Sequence, residues 1–278
     1  MRAKYEGSGI RHEAARTRQE IPGPTPAFPS YFVPVLSYLI SRFVRFTHRS
    51  TQPELMDDLT LATDDLRRNL RELAVTNRLL GGNGVTLRGL AALLGGVPDR
   101  PVPLRVADLG CGGGDMLRLM ARWLRRRAVP AELTGLDANA FMLTYARQQT
   151  ADLPEVGYRQ LDVFAEEFGR LSFDAVSMTL FCHHFTDQQL IELWSVLRRQ
   201  TRIGLVINDL HRHPLAYYAI WGLATALRTS FLYRHDARLS VARAFRRTEL
   251  EALLRQAGFT RFRIRWRWAF RWEVVAWC

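Results

Sequence analysis

The segment from residue 105 to residue 115 constrains the fold of this chain more than any other. It predicts a short apolar strand, Arg105–Cys111, that runs into a turn containing Gly110 and Gly112–Gly114, followed by a helix from Asp115. Glycine lets the backbone turn tightly and approach a ligand with no Cβ in the way. In an open parallel sheet, ligands bind beyond the carboxyl ends of the strands. The segment therefore indicates an α/β fold with a ligand site at the end of its first strand.

Strand and helix patterns continue to alternate after this turn. Further strands are predicted over 131–137, 158–163, 173–180 and 203–210. Helices are predicted over 115–127, 138–149 and 187–200, and from Thr248, as N-cap with Glu251 three residues on, to Gly258. Such alternation predicts a parallel sheet with helices on both faces. Arginines then alternate with apolar residues over 261–268, which predicts a strand with a solvated or ion-paired arginine face, and 271–278 predicts the return strand of a hairpin.

Three parts are predicted along the chain. Residues 1–52, polar and then rich in proline, are expected to be a partly disordered N-terminal extension with one short amphipathic helix over 35–46. Residues 53–100 are expected to form a helical N-terminal subdomain, because leucines recur there at helical spacing. Residues 101–278 are expected to be the α/β domain. Within it, 211–247 is expected to be a lid insertion, since this connection is long for a compact domain.

The formal net charge of +12 first suggests an anionic partner. Lys4 is the only lysine, however, so the arginine excess fits a GC-rich coding background, and with no accompanying binding motif we expect no nucleic-acid partner. Three isolated cysteines, Cys111, Cys182 and Cys278, favour a reducing cytoplasm over a disulfide framework. We expect no transmembrane segment, although the helix at 35–46 could make a weak contact with a membrane surface. Both a monomer and a homodimer fit the sequence.

Carboxylates indicate which ligand the glycine turn holds. A dinucleotide fingerprint requires glycine at position 115, where Asp115 would instead face the pyrophosphate. A ligand with a cationic sulfonium and an amino group tolerates Asp108 and Asp115 far better. Asp137, closing the second strand, can accept from ribose hydroxyls, and Asp162, closing the third, from an adenine amino group. Each aspartate alone is more often a turn former or helix cap, but three in series are a strong indication.

Residues 105–210 resemble the class I S-adenosylmethionine-dependent methyltransferases, especially the bacterial small-molecule branch with its quinone-biosynthesis and polyketide-tailoring enzymes. The resemblance lies in Asp108-x-Gly110-x-Gly112-x-Gly114, Asp137, Leu161-Asp162 and the run from Phe173 to Phe185. It implies a doubly wound, Rossmann-like, seven-stranded sheet with a terminal antiparallel hairpin, and S-adenosylmethionine as cofactor. The residues expected to bind the cofactor are Asp108, Gly110, Cys111, Gly112, Gly114, Asp137, Ala138, Met142, Asp162, Val163, Phe164, Thr179 and Leu180.

Methyl transfer from a sulfonium mainly requires positioning and desolvation, but a hydroxyl acceptor also needs its proton removed. Histidine suits that task because its pKa lies near neutrality. His183 and His184 follow the fourth strand, where an acceptor would approach the methyl group, so they are candidate bases, with a bracing role in the loop as the alternative. His211, after the fifth strand, is a second candidate. No metal site is expected, because no acidic cluster joins these histidines in the sequence.

The 211–247 segment is rich in aromatic and apolar residues, which predicts a small aromatic or apolar acceptor. Its candidate substrate-binding residues are His213, Tyr217, Tyr218, Trp221 and Tyr233. We therefore expect methyl transfer to a small aromatic or polyketide-like metabolite at a hydroxyl oxygen. C-methylation of a quinone precursor and a non-catalytic protein that retains the cofactor are the alternatives. A nucleic-acid amino methylase is disfavoured, because Thr179–Cys182 stand where such enzymes carry an Asn/Asp-Pro-Pro-aromatic motif.

Overall fold

The structure is a computed structural model that describes residues 46–95 and 103–278. Within these ranges the strands are β1 (Leu104–Leu109), β2 (Ala131–Asp137), β3 (Val156–Gln160), β4 (Phe173–Thr179), β5 (Thr201–Leu210), β6 (Arg261–Arg267) and β7 (Arg271–Trp277). The α-helices of the same ranges are α1 (Asp64–Leu79), α2 (Gly82–Leu94), α3 (Asp115–Arg125), α4 (Ala140–Gln149), α5 (Asp187–Gln200), α6 (Pro214–Ala226), α7 (Phe231–Arg243) and α8 (Arg247–Gln256). Apart from Phe46, the helix predicted over 35–46 lies outside the described residues, as does the proline-rich segment before it.

All seven strands form one sheet in the order β3-β2-β1-β4-β5-β7-β6. The first five are parallel, whereas β7 runs antiparallel to β5 and β6 antiparallel to β7. The chain therefore starts mid-sheet at β1, winds outward to β3, returns to β4 beside β1 and continues to the other side. The crevice between the carboxyl ends of β1 and β4 is the topological switch point, where open α/β sheets bind ligands. The predicted doubly wound sheet with a terminal hairpin is confirmed.

Two apolar clusters, one on each face of the sheet, hold the helices in place. Ile207 and Val206, neighbours in β5 that point to opposite faces, belong to different clusters. The first cluster includes the fully buried Trp194 of α5 and extends to α8. The second joins α3 and α4 and also contains Leu90 of α2. Burying one such side chain contributes about 1.5–3 kcal/mol, so α2, which also packs on β7, is part of the core layers.

Strand β3 ends three residues earlier than the predicted Val163. Its partner β2 ends at Asp137, which pairs with Gln160, so residues after Gln160 have no residue of β2 to pair with. The backbone N–H of Leu161 donates to the Asp137 carbonyl at 3.0 Å and closes the pairing. Asp162 therefore lies in the loop after the strand and not at its last residue.

The predicted N-cap of α8, Thr248 with Glu251, is wrong. The helix begins at Arg247, and the Arg246 N–H donates to Glu249 Oε2 at 2.7 Å. Glu249 is held in this position by the buried guanidinium of Arg212, whose NH1 donates to Oε2 at 2.9 Å. The tertiary ion pair thus selects which glutamate caps the helix.

The 211–247 segment contains α6 and α7, which pack against each other. Helix α7 also contacts α1 and a short 3-10 turn at Leu55–Asp57. The segment thereby connects the end of β5 with the N-terminal part of the described chain. Among the described residues, the helices are too short or too polar for any of them to cross a membrane.

The terminal hairpin buries one carboxylate beneath its arginines. Glu273 of β7 is fully buried and accepts from Arg267 Nε at 2.8 Å and from Arg263 NH2 at 3.3 Å. Arg88 of α2 lies 3.7 Å from the same carboxylate. Glu273 therefore ties β6 and α2 to β7, and this part of the arginine face is ion-paired.

We expect Glu273→Ala to lower the free energy of unfolding by about 2–4 kcal/mol, because the arginines around it would lose their buried counter-charge. Glu251→Ala is the matched control, since it removes a part-exposed carboxylate paired with Arg247 one turn away. The control should cost at most about 0.5 kcal/mol. Urea unfolding followed by circular dichroism measures both variants. Equal losses would contradict a special role for the buried carboxylate.

Candidate active site

A cavity of about 280 Å³ opens at the carboxyl ends of β1, β4 and β5, at the switch point of the sheet. Its floor includes the glycine turn after β1 and the loop after β4. Its walls come from α1, α6, α7 and the turn between β6 and β7, and are largely apolar: Leu70, Leu73, Leu80, Ala216, Ala219, Ile220, Leu223, Val241, Trp268 and Phe270. One continuous, partly open cavity thus runs from the glycine turn to the segment predicted as a lid.

Close neighbours fix the shape of the glycine turn. Gly110 has a φ of +63°, and a Cβ there would lie 2.1 Å from the Phe181 ring. Gly114, the N-cap of α3, has a φ of +75°, and a Cβ there would lie 2.3 Å from the Tyr158 hydroxyl. Any side chain at these two positions would clash, and both φ values favour glycine. The packing of the turn against Phe181 and Tyr158 therefore requires glycine at both positions.

Three carboxylates surround this turn, and we call Asp108, Asp115 and Asp137 the acidic trio. Desolvation raises the pKa of Asp108 to about 7, and repulsion from the other two adds to this, against a hydrogen bond from Ser177 Oγ at 2.6 Å. Desolvation also raises the pKa of Asp115 and of Asp137. Raised carboxyl pKa values mean that the site disfavours its own negative charge. A cationic ligand relieves that cost, whereas a pyrophosphate would increase it.

Asp137 acts on the turn through the backbone. Its Oδ2 accepts from the Gly112 N–H at 3.0 Å, and its Oδ1 accepts from the Asn139 N–H at 2.9 Å. The carboxylate therefore joins the end of β2 to the glycine turn.

The cavity brings together six of the residues expected to bind the cofactor: Asp108, Gly110, Cys111, Gly112, Thr179 and Leu180. Thr179 Oγ1 shares a hydrogen bond with Thr86 of α2 at 2.8 Å, and Leu180 has a φ of +53°. Gly114 caps α3 just behind the lining. The end of the first strand and the end of the fourth therefore meet as the spacing predicts.

The other expected cofactor residues lie around this cavity without lining it, as far as the described residues show. Met142 is buried in an apolar cluster with Leu66 and Leu70. Asp162 is exposed and accepts from the Phe164 N–H at 3.0 Å, as a turn former does. The remaining positions, Ala138, Val163 and Phe164, follow the ends of β2 and β3 and are partly or fully exposed. Their roles stay predictions.

His183 and His184, the histidine pair, lie in a 3-10 turn after β4 and line the cavity. His183 is buried, with Nδ1 2.7 Å from Asp209 Oδ1 and Nε2 3.4 Å from Glu54 Oε1. Desolvation alone would lower the pKa of His183, but the carboxylates of Asp209 and Glu54 outweigh it and raise the pKa to about 9. Both ring nitrogens of this histidine therefore face carboxylates.

His184 makes a parallel contact with a different carboxylate. Its Nδ1 lies 2.5 Å from Asp57 Oδ1. Desolvation raises the pKa of Asp57, but the hydrogen bond and charge of His184, with Arg243 adding to them, lower it to about 2. Arg243 donates to Asp57 Oδ2 at 2.8 Å and to the His183 carbonyl at 3.0 Å. This arginine locks the histidine turn onto the Leu55–Asp57 turn.

Sequence reasoning missed the three carboxylates at the histidine pair. Asp209 near the end of β5 follows the same strand-end pattern as Asp108 and Asp137, so a signal was present. Glu54 and Asp57 gave none, because the fold alone brings residues so distant in sequence beside His183 and His184. The ligand atoms of Glu54, His183 and His184 all lie within 4.8 Å of one another. The acidic partner that the sequence does not place beside the histidines is therefore supplied by tertiary structure.

His211 and His213 lie away from the cavity lining in the described structure. His211 forms a β-bridge with Phe245, and desolvation, with nearby positive charges, lowers its pKa. His213 caps α6, its Nδ1 accepting from the Leu215 N–H at 3.1 Å. Both histidines therefore lie in the connection between β5 and α6 and stabilise it.

Of the aromatic residues expected to bind substrate, Tyr233 lines the cavity and donates to Thr76 Oγ1 at 2.8 Å. Tyr218 and Trp221 are half exposed, and Tyr217 packs against Phe46 with ring centroids 5.6 Å apart. The inward face of α6 is instead formed by its smaller residues, Ala216, Ala219, Ile220 and Leu223. Their three- and four-residue spacing is that of a single helix face.

Comparison with known proteins gives this cavity a family context. Residues 106–204 match a family model described as a methyltransferase domain. A 2-phytyl-1,4-naphtoquinone methyltransferase of Thermosynechococcus vestitus is 28% identical over 172 residues, which are 59% of this chain and 75% of that protein. A ubiquinone biosynthesis O-methyltransferase of Alkalilimnicola ehrlichii is 32% identical over 161 residues, 55% of this chain and 60% of that protein.

A solved structure agrees at the level of the fold. The plantazolicin methyltransferase in complex with SAH has a TM-score of 0.53 and 18% identity, covering 72% of this chain and 74% of that one. Its bound SAH is the product form of the cofactor that the acidic trio and the glycine turn suit. The sheet order, the glycine turn and the methyltransferase-domain match over residues 106–204 support a class I S-adenosylmethionine-dependent methyltransferase, with S-adenosylmethionine as cofactor.

Proposed function

We propose that the protein transfers the methyl group of S-adenosylmethionine to a small aromatic or polyketide-like metabolite, at a hydroxyl oxygen. The observation that carries this proposal is the continuity of the cavity. It extends from Asp108 and Asp115, past Thr179 and Leu180, to the histidine pair, under apolar walls from α1 and α6. A cationic donor and an apolar acceptor can therefore occupy one desolvated space.

The residues present fit the cofactor. Gly110 and Gly112 leave the backbone open to a close ligand, and Asp108 and Asp115 are desolvated carboxylates beside it. When bound, the cofactor supplies an electrophilic methyl group on a sulfonium. The protein's part is to offset the positive charge, exclude water and hold the acceptor in line.

The walls define the acceptor end. Leu70 and Leu73 of α1 and Ile220 and Leu223 of α6 favour a flat, apolar molecule over a charged polymer. Two relatives are named for a naphtoquinone and for ubiquinone biosynthesis, which supports a quinone-like or polyketide-like acceptor. We infer that the 211–247 segment acts as the lid over this end, since α6 and α7 both line it.

The histidine pair is the polar element that an acceptor hydroxyl would meet. His183 has both ring nitrogens directed at carboxylates, whereas His184 has Nδ1 bound to Asp57 and Nε2 left for a partner. His184 is therefore the group placed to handle the acceptor's proton. We leave His211 out of this role because it does not line the cavity within the described chain.

C-methylation of a quinone precursor is the second candidate, supported by the relative named for 2-phytyl-1,4-naphtoquinone. Incubation of phenolic and quinone acceptors with methyl-labelled cofactor, followed by NMR of the product, separates the two reactions. A methoxy carbon signal supports O-methylation, and an aryl methyl signal supports the second candidate. Absence of labelled product across both acceptor classes would count against an enzyme of either kind.

Asp137 should support cofactor binding through the glycine turn. We expect Asp137→Ala to weaken the affinity for S-adenosylmethionine by at least about 10-fold, because the Gly112 N–H loses its acceptor and the turn its anchor. Asp152→Ala is the control, as Asp152 is exposed and precedes β3 at the opposite edge of the sheet. Isothermal titration with S-adenosylmethionine and S-adenosylhomocysteine measures both. An unchanged dissociation constant in Asp137→Ala would rule out this anchoring role.

Asp108 should give the ligand-free protein a pH signature. Its pKa is about 7 in the folded state and about 3.8 in an unfolded chain, so between these values the folded state retains a proton that the unfolded state releases. Stability therefore falls as pH rises from about 4 to about 7, by up to about 1.4 kcal/mol per pH unit. Asp108→Asn keeps an acceptor for Ser177 and lacks this loss. Its unfolding free energy relative to wild type should thus grow between pH 5 and pH 7. A constant difference across that range would contradict the raised pKa.

His184 should affect turnover more than binding. We expect His184→Gln to lower kcat by about 10²-fold, the range typical of a group that handles a proton in the reaction. Affinity for S-adenosylmethionine should stay within about 3-fold of wild type, because the glycine turn and the acidic trio are untouched. Turnover is measured with the best acceptor from the labelled screen. Full activity of this variant would remove His184 from the chemistry.

A further inference from the structure

We propose that Glu54, His183 and His184 bind one divalent transition-metal cation at the acceptor end of the cavity. The part that this cation would play in methyl transfer rests on the proposed function, whereas its binding does not. Two histidines and one carboxylate, with further positions open, form the ligand set of catalytic zinc sites and of non-haem iron(II) sites. All three residues line the cavity, so an open position would face the acceptor.

The distances suit such an ion. His183 Nε2 and Glu54 Oε1 are 3.4 Å apart, and two tetrahedral ligands at about 2.1 Å from one metal are themselves about 3.4 Å apart. The ligand atoms of all three residues lie within 4.8 Å of one another. Bringing the widest pair from at most 4.8 Å to the tetrahedral spacing of about 3.4 Å requires the two side chains together to close by up to about 1.4 Å.

A carboxylate engages one ring nitrogen of each histidine. Asp209 is 2.7 Å from His183 Nδ1, and Asp57 is 2.5 Å from His184 Nδ1. A metal-bound histidine almost always has its other ring nitrogen hydrogen-bonded to a carboxylate, carbonyl or water, which fixes the tautomer. With each Nδ1 engaged, Nε2 is the nitrogen left for a ligand bond in both residues.

Glu54 adds an independent observation. Its side chain is buried, and within the described part of the chain Oε1 has no well-formed hydrogen bond, its nearest polar contact being His183 Nε2 at 3.4 Å. Its position is nonetheless fixed, because Asp236 of α7 accepts from the Leu55 N–H at 2.9 Å and from the Met56 N–H at 3.0 Å. A buried carboxylate oxygen without a well-formed hydrogen bond is costly, and a cation between Glu54 and the histidine pair would satisfy it.

The net charge of the side chains around the histidine pair is negative, which favours a bound cation. Glu54, Asp57 and Asp209 carry three negative charges, whereas Arg243, bonded to Asp57, and the buried Arg271, which interacts electrostatically with Asp209, carry two positive charges. The remaining negative charge is balanced by one imidazolium proton, or by a divalent cation that carries one anionic ligand such as an ionised acceptor oxygen. A metal-binding experiment distinguishes histidine protonation from a bound divalent cation.

A cation here would select the acceptor. With the metal bound, His184 Nε2 would be a ligand and no longer the base, and the role of His184 in turnover would be to hold the ion. The cation would bind the acceptor's hydroxyl oxygen as the anion, with the proton passing to water, and the methyl carbon would form its bond to that oxygen as its bond to sulfur breaks and leaves a thioether. A molecule with two neighbouring oxygens, such as a catechol or an ortho-hydroxycarbonyl, can chelate such an ion. We therefore infer that acceptors of this class are preferred over simple monophenols.

The test titrates Zn²⁺ into the chelator-stripped full-length protein by calorimetry and records the absorption of its Co²⁺ form. We expect one equivalent with a dissociation constant in the micromolar range or tighter, and a Co²⁺ spectrum of a site with mixed nitrogen and oxygen ligands. Glu54→Gln and His184→Gln should each weaken binding by at least about 10-fold. His48→Gln removes an exposed histidine and should leave the same site intact.

Each variant is also titrated with S-adenosylmethionine, which reports a folded cofactor end regardless of the metal. Absence of stoichiometric Zn²⁺ binding, or equal binding by wild type, Glu54→Gln and His184→Gln, overturns the metal proposal while the methyltransferase proposal stands. If the wild-type protein binds Zn²⁺ but not S-adenosylmethionine, the metal proposal stands and the methyltransferase proposal is overturned. If one ligand variant fails to fold by circular dichroism, the other still decides.

Discussion

The pairing of β1 with β4 is the constraint on which the rest of the site depends. It places Asp108 directly opposite Ser177 and brings the glycine turn to the same edge as the histidine turn. Parallel strands leave all their carboxyl ends at one edge, and the reversal of winding between these two strands leaves a crevice there. The groups at the site reach this crevice from strand ends, from helices that pack over it, and from the Leu55–Asp57 and β6–β7 turns. A sheet of another order would separate the glycine turn from the histidine pair.

Carboxylates that have lost water give the cavity its chemical character. The acidic trio lies at one end, and Glu54, Asp57 and Asp209 lie at the other. At the first end desolvation dominates and raises the carboxyl pKa values, so a bound positive charge is favourable there. At the second end histidines and Arg243 dominate, and the pKa values of the carboxyls fall. The end with the acidic trio therefore favours a cationic ligand, whereas the end with the histidine pair holds protons or, on our proposal, a metal ion.

The sequence predicted the core of the fold well because its signals are local. Strand alternation, the glycine turn and Asp137 at a strand end each depend on a few neighbouring residues, and the sheet order confirmed them. The faces of α6 were harder to predict, since its outward face carries the aromatic residues and its inward face the smaller ones. Aromatic character alone therefore selected Tyr218 and Trp221, which are half exposed. Glu54 and Asp57 were beyond local reasoning, because they meet the histidine pair only where α7 packs against both the Leu55–Asp57 turn and the histidine turn.

On the proposed function, the residues with local sequence signals are those beside the cofactor, and the residues brought together by long-range contacts are those beside the acceptor. The family model covers residues 106–204, which include the whole glycine turn and the histidine pair. Glu54, Asp57, α1, α6 and α7 all lie outside that range, yet they build the walls and most of the carboxylates at the acceptor end. A sheet that binds one cofactor can thus be combined with different flanking helices, each of which adds different groups beside the same histidine turn. For this chain the flanking parts add Glu54 and Asp57 to the histidine pair. The acceptor must therefore be sought through the chemistry of these added carboxylates rather than through likeness to the relatives' cofactor sites.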